Sequence, residues 1–248
     1  MGGRSEIGCR MNRRGLPFVY LNVAMTADGK ISPASRKFEP FGGPKDRALL
    51  LDVRASADAV MSGARTVDLD KINMGPGPAK YRRKRLRNGL AEYNLRVIVS
   101  GAGTLNPEAG VFRHRFSPII ILTTGRAAKR NLLRLQAVAD EVKIFGETEI
   151  DFAAALKWLR KKWNVKRLLC EGGGEVNGAL FEAGLVDEVY VTLCPLILGG
   201  NTAPTMADGV GVAKLGKATR LEMVSMKRNG DLLFLRYARQ AGTPRHKR

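Results

Sequence analysis

The chain has 248 residues, 44% of them hydrophobic, which suits one large α/β domain or two small ones. Three cysteines without paired spacing (Cys9, Cys170, Cys194) and two histidines (His114, His246) argue against a disulfide framework, a metal centre and a histidine-dependent triad. The formal charge of +19 admits a polyanion as partner, yet the excess is spread over 80–87, 126–134, 157–167 and both termini, with no aromatic-interleaved RNA-binding motif and no Cys/His finger.

Residues 1–15 and 240–248 are basic and aperiodic and are expected as flexible tails, leaving 16–239 as a single domain. No stretch approaches the ~20 apolar residues of a membrane span, and no signal-peptide core is visible, so a cytoplasmic protein without membrane contact is expected. Residues 18–25 read as a buried strand before a turn at Ala27-Asp28-Gly29. Pro44 opens a helix over 44–57, with Leu49, Leu50, Val53 and Ala57 at helical spacing, and 58–63 is a short strand running into Gly63. From 71 to 93 the periodicity fails: Gly75-Pro76-Gly77-Pro78 interrupts any element and a dense basic run follows, which reads as a long surface loop with room for a short helix.

Residues 95–99, 119–123 and 142–145 are further strands, and 126–138 and 151–163 are helices, the second with Phe152, Ala155, Leu156, Leu159 and Trp163 on one face. Then comes an apolar strand at 168–170 and the triple glycine Gly172-Gly173-Gly174. A helix carrying Val176, Ala179, Leu180 and Ala183 follows, with a stop at Gly184 and a second apolar strand over 185–194. Helix-opening N–H groups have no partner inside the helix, so a phosphate suits this turn; a tight strand-to-helix connection with no ligand suits it equally. Segments 221–226 and 232–237 flank Asn229-Gly230, a hairpin signal. The fold class is therefore α/β: a mainly parallel central sheet with helices on both faces and an antiparallel C-terminal hairpin.

Four segments in this order resemble one family: Asn22-Val23-Ala24-Met25-Thr26-Ala27-Asp28-Gly29-Lys30-Ile31, the stretch from Arg54 to Val67, Glu171-Gly172-Gly173-Gly174, and Gly184-Leu185-Val186-Asp187-Glu188. They are similar to the reductase of riboflavin biosynthesis, the C-terminal domain of bifunctional RibD and its stand-alone archaeal relatives. The resemblance spans about 17–237 and implies a dihydrofolate-reductase-like fold, a homodimer and NADPH as cofactor. Carried over, it places Ala24 beside the nicotinamide, Thr66 and Asp70 at polar cofactor positions, and Gly172, Gly173, Gly174, Glu175, Val176 and Asn177 around the diphosphate. Without it, Thr66 reads as a helix cap and Asp70 as a surface turn.

For the substrate the resemblance implies Arg54, holding phosphate or another polar group, and Glu171, accepting hydrogen bonds from a pyrimidine. Three departures stand out. Phe38 falls where the family has a substrate-contacting serine, so Ser35 serves only if the loop is shorter. Gly77 replaces the expected arginine, leaving Arg82, Arg83 or Arg85 to hold the phosphate. Gly101 replaces a serine, leaving Ser100 and Arg126 for the cofactor's 2′-phosphate.

The implied activity is reduction of the ribosylamino side chain of 5-amino-6-(5-phosphoribosylamino)uracil, or of the pyrimidine that precedes its deamination, to the ribitylamino form. No zinc-deaminase signature accompanies it, so a separate enzyme is expected for the deamination step. No general acid is singled out: Asp28, Glu171 and water all stay open. Two other readings remain, a dihydrofolate or pterin reductase on the same fold and a non-catalytic nucleic-acid binder using the basic surface.

Overall fold

Along each central strand successive side chains leave on opposite faces of the sheet, and in this protein they enter two separate apolar layers. Val19, Leu21 and Val23 belong to one, with Ala59, Met61, Val97, Val99, Ile120, Leu122, Leu168 and Cys170; Tyr20, Val60, Ile98, Ile119, Ile121 and Leu169 belong to the other. Strands buried on both faces need apolar residues at every position, which is why these segments read as continuous runs.

The structure, a computed structural model, describes residues 15–37, 39–68 and 72–240, so the expected tails lie outside the described residues apart from Gly15 and Gln240. Its elements are β1 (Phe18–Thr26), α1 (Gly43–Arg54), β2 (Ala59–Gly63), α2 (Ala64–Val67), α3 (Ala79–Arg87), β3 (Leu95–Val99), α4 (Gly110–Arg113), β4 (Ile119–Thr123), α5 (Lys129–Gln136), β5 (Glu141–Ile144), α6 (Phe152–Lys162), β6 (Arg167–Cys170), α7 (Gly174–Glu182), β7 (Glu188–Cys194), β8 (Leu221–Asn229) and β9 (Leu232–Arg239). They build one nine-stranded sheet in the order β5-β4-β3-β2-β6-β1-β7-β9-β8. Every pair from β5 to β7 is parallel, and β9 runs antiparallel between β7 and β8. Residues of α6 and α7 fill the first apolar layer and residues of α1, α2, α4 and α5 the second, so helices cover both faces.

Local chemistry fixes several boundaries. Asp151 caps α6 by accepting from the Ala154 N–H at 2.9 Å. Gly184, at φ +63°, ends α7. The Leu185 N–H returns to Leu180 and the Gly184 N–H to Phe181, which satisfies two otherwise open carbonyls. The helix expected from 126 starts at Lys129 because the Gly125 and Arg126 N–H groups bond to Gly146 and Glu147 instead. At the hairpin Asn229 pairs with Leu232, so the two-residue turn is Gly230-Asp231, one residue later than expected, with Gly230 at φ +68°.

The stretch expected as a long surface loop with room for a short helix carries the nine-residue helix α3, and its basic face is partly internal. Arg85 is only 1% exposed; it donates to the carbonyls of Ala91 at 2.9 Å, Arg54 at 3.0 Å and Ala57 at 2.5 Å. It therefore ties α3 to the end of α1.

Residues 204–208 lie across α7 and set one wall of the sheet's C-terminal edge. The Asp208 N–H bonds to the Gly174 carbonyl at 2.9 Å, the Asn177 amide donates to the Met206 carbonyl at 2.9 Å, and Asp208 accepts from the Thr205 hydroxyl at 2.6 Å. A Cβ on Gly178 would land on the backbone carbonyl oxygen of Asp208, and one on Gly174 would meet the Asp208 carboxylate and the Thr205 carbonyl. Backbone cannot swing aside as a side chain can. Gly178→Ala is expected to lower stability by about 1–3 kcal/mol in urea unfolding.

Candidate functional site

The candidate residues gather where β1, β2 and β6 end, the edge of an open α/β sheet at which ligands commonly bind. Register defines the row. Leu21 and Met61 flank Cys170, so one step further Asn22 and Ser62 flank Glu171. The Glu171 N–H bonds to the Met61 carbonyl at 2.8 Å and its carbonyl accepts from the Ser62 hydroxyl at 3.1 Å. Next along β1 on the same face comes Ala24, paired with Thr192 of β7.

Glu171 is held by Arg54. The guanidinium donates from Nε to Oε1 and from Nη2 to Oε2, both at 2.6 Å, and from Nη1 to the Gly75 carbonyl at 2.8 Å. The two side chains are 10% and 12% exposed, so this is a nearly dry bidentate pair. Burial pulls the Arg54 pKa down, but the facing carboxylate outweighs it and the net shift is upward. Arg54 was expected to grip the substrate itself; the structure spends its donors on Glu171 and on the chain at Gly75. What remains available toward a ligand is the carboxylate's spare acceptor capacity.

The glycine turn divides by role. Gly173 precedes α7 in extended backbone, has no side-chain cap, and a Cβ built on it meets nothing within 4 Å. The next amides open α7. Beside them α2 begins after Gly63, also without a side-chain cap, and carries half-buried Thr66. Arg65 of α2 pairs with Glu175 of α7 at 2.9 Å across this gap, a contact that sequence reading missed because the two lie 110 positions apart. Open space and uncapped amides favour negative charge here, while Arg65 already has the Glu175 carboxylate as its partner. Asn177 faces inward, its side chain engaged by Met206 and Cys170. Ser100 is 4% exposed at the end of β3, and the exposed Arg126 brings Nη2 to 3.6 Å from a Cβ built on Gly101. Asp70 and Phe38 lie outside the described residues.

Other candidates are placed elsewhere. Ser35 is exposed in the connection before α1 and accepts locally from the Lys37 N–H at 3.4 Å. Arg82 donates to the Tyr93 hydroxyl at 2.5 Å and approaches Glu92 at 3.5 Å. Arg83 is exposed on α3, whereas Arg85 is buried with its Nε and Nη1 on the backbone carbonyls described above. At Gly77, φ +77°, a residue with a side chain would be strained and its Cβ, 2.8 Å from Leu51 Cδ2, would have to displace that leucine, which disfavours the expected arginine here. Cys170, its thiol pushed up to about 12 by burial, is a packed residue and no nucleophile.

Asp28 sits in the turn after β1 and accepts from the Thr26 hydroxyl at 2.6 Å and from the N–H groups of Gly199 at 2.7 Å and Leu198 at 3.2 Å. The Thr26 hydrogen bond, seconded by those amides, brings its carboxyl down to about 2. A group so acidic has no proton to give near neutral pH, which removes it as a general acid and makes it a tie between the β1 turn and the segment after β7. Its folded pKa lies below the unfolded value of 3.8, so its contribution is complete above that pH and disappears as pH falls through about 2. Urea unfolding at stepped pH is expected to show wild type losing stability over that interval, and Asp28→Ala lacking that part of the loss.

The RibD C-terminal domain model matches residues 17–234. A 2,5-diamino-6-ribosylamino-4(3H)-pyrimidinone 5′-phosphate reductase of Archaeoglobus fulgidus is 32% identical over 208 residues, 84% of this chain and 94% of the relative. One of the same name from Methanothermobacter thermautotrophicus is 31% identical over 228 residues, 89% of this chain and 97% of the relative. Among solved structures, a pyrimidine reductase-like protein of Corynebacterium diphtheriae superposes with a TM-score of 0.77 at 22% identity, covering 90% of this chain and 92% of that one. Acinetobacter baumannii RibD gives 0.72 at 20% identity; 92% of this chain is covered, and it spans 59% of that chain. At these identities the two structures speak to the fold, which is the dihydrofolate-reductase-like arrangement expected from the resemblance.

Proposed function

Because the chain belongs to the RibD C-terminal domain family, we propose that it is a reductase of riboflavin biosynthesis acting on 2,5-diamino-6-ribosylamino-4(3H)-pyrimidinone 5′-phosphate, with NADPH as the reductant. Between the two pyrimidines considered above, the names of the relatives at 31% and 32% identity favour the one that still carries its 2-amino group. The observation that carries the reading is the pairing of an open anion site at Gly173 with an oriented carboxylate at Glu171, two residues away.

When bound, the dinucleotide supplies a hydride for the sugar's first carbon. The chain's own groups position it. The amides opening α7, approached closely over Gly173, hold the diphosphate, with Thr66 and Arg65 alongside; Ser100 and Arg126 take the 2′-phosphate; Ala24 leaves room for the nicotinamide. Glu171 accepts hydrogen bonds from the pyrimidine's N–H groups, and Arg54 fixes the plane in which it does so. Of Arg82, Arg83 and Arg85, Arg83 is the exposed one and is the candidate to meet the substrate phosphate.

Gly173→Val is expected to weaken NADPH binding at least tenfold by nicotinamide fluorescence while the urea midpoint barely moves, since the new side chain enters open space rather than protein. Unchanged affinity in that variant takes the diphosphate away from this turn. Arg54→Ala is expected to cost about 3–5 kcal/mol of stability by leaving Glu171 charged and alone, and to raise the pyrimidine's KM more than that of NADPH. The reading itself is tested by NADPH oxidation with the diamino pyrimidinone phosphate, its deaminated counterpart and dihydrofolate side by side; turnover of dihydrofolate alone overturns it.

A further inference from the structure

Three polar atoms on one face of the sheet, Oδ1 of Asn22, Oγ1 of Thr192 and Oδ1 of Asp46, are buried and make no hydrogen bond of ordinary geometry, although the Thr192 hydroxyl lies close enough to the Asp46 carboxyl to favour its charged form. Such atoms are rare in folded proteins, and each calls for an explanation. Asp46 stands in the first turn of α1, which packs on β1, and its carboxyl faces Thr192 of β7. Thr192, 1% exposed, is the β7 residue paired with Ala24. Gly42 closes over the carboxyl from the other side: a Cβ there would stand 2.5 Å from the Asp46 Cβ and 2.6 Å from Oδ2. Polar residues inside an apolar strand and a carboxyl turned inward from a helix start are costly to keep for packing alone.

We infer that Asp46, positioned by Thr192, is the proton donor of the reduction, aimed at the sugar of the substrate where it lies beside Ala24. The inference rests on the function proposed above. The step balances as follows. As the bond between the sugar's first carbon and its ring oxygen breaks, the ring oxygen takes the Asp46 proton and becomes a hydroxyl, while the amino nitrogen's lone pair forms the iminium. A bound dihydronicotinamide would supply the hydride that this carbon needs to become the secondary amine, and the Asp46 carboxylate recovers a proton from water. A donor must hold its proton near neutral pH, and burial raises the Asp46 carboxyl, the Thr192 hydroxyl tempering the shift. The groups facing it would not reverse this. From β7 they are Thr192 and Cys194, whose thiol is raised to about 11 by burial and, secondarily, by Asp46. From β1 they are Asn22, Ala24 and Thr26; from β9, Phe234; the pair beyond is Asn22 with Tyr190. On α1 itself Lys45 reaches outward to the Asn229 carbonyl at 3.4 Å and Arg47 is exposed.

The test uses the full chain with the diamino pyrimidinone phosphate. Asp46→Asn is expected to lower kcat by 100-fold or more and to remove the alkaline limb of the kcat profile, with NADPH affinity by fluorescence within twofold of wild type. Thr192→Val, which deletes the group that lowers the carboxyl's pKa, is expected to move that limb to higher pH, and serves if Asp46→Asn does not fold. In a chain labelled with 13C at the aspartate carboxyls, one resonance should titrate above the usual carboxylate range, be absent from Asp46→Asn, and shift when the ribitylamino product and oxidised cofactor are added. A kcat for Asp46→Asn within threefold of wild type, an alkaline limb unmoved in Thr192→Val, or an Asp46 resonance indifferent to product overturns the inference while leaving the function standing. A wild type inert toward this pyrimidine overturns the function and the inference together.

Discussion

Arg54 and Glu171 meet through two 2.6 Å hydrogen bonds at the junction of helix and sheet, and much of the surrounding chain is arranged about that contact. The arginine's third donor fixes Gly75, and its backbone carbonyl receives Arg85, so the segment carrying α3 is anchored through the same residue. A charge pair this dry adds little net stability over an apolar pair of equal size. Its value is geometric: it holds a carboxylate in one plane at the strand end, where a water-exposed glutamate would sample many rotamers.

The central strands were legible because burial on both faces leaves an unbroken apolar signature, whereas the edge strand β5 and the hairpin, which are half-buried or exposed, were placed by their position in the alternation and by Asn229-Gly230. Helix ends drifted wherever tertiary hydrogen bonds captured the first amides, as at Gly125 and Arg126. α3 was obscured by Gly75-Pro76-Gly77-Pro78 before it and by arginines that look like surface charge; no local pattern announces that Arg85 is 1% exposed. At the site, the identity of Glu171 and Gly173 came through the resemblance, while their division of labour did not. Whether a glycine faces space or another backbone depends on residues 204–208, some thirty positions away.

The basic charge reads differently once the side chains are placed. Arg54, Arg85 and Arg96 are buried, and Arg96 spends its donors on Val111 and Ser117. These cations serve as internal hydrogen-bond hubs, where a guanidinium satisfies several carbonyls at once in a way lysine cannot. Burial leaves the net charge at +19 but withholds these guanidiniums from direct contact with a polyanion, and the exposed cations are distributed over separate elements.

The glycine run also holds a record of what this fold has been used for. Gly174 and Gly178 are required by the chain folded across them, and any protein keeping that crossing must keep them, whatever it does. Gly173 has no such neighbour, and the proposed diphosphate gives its bareness a reason. In a descendant that gave up its dinucleotide, drift would fill Gly173 with a side chain and leave the other two untouched, so that this one position dates the loss.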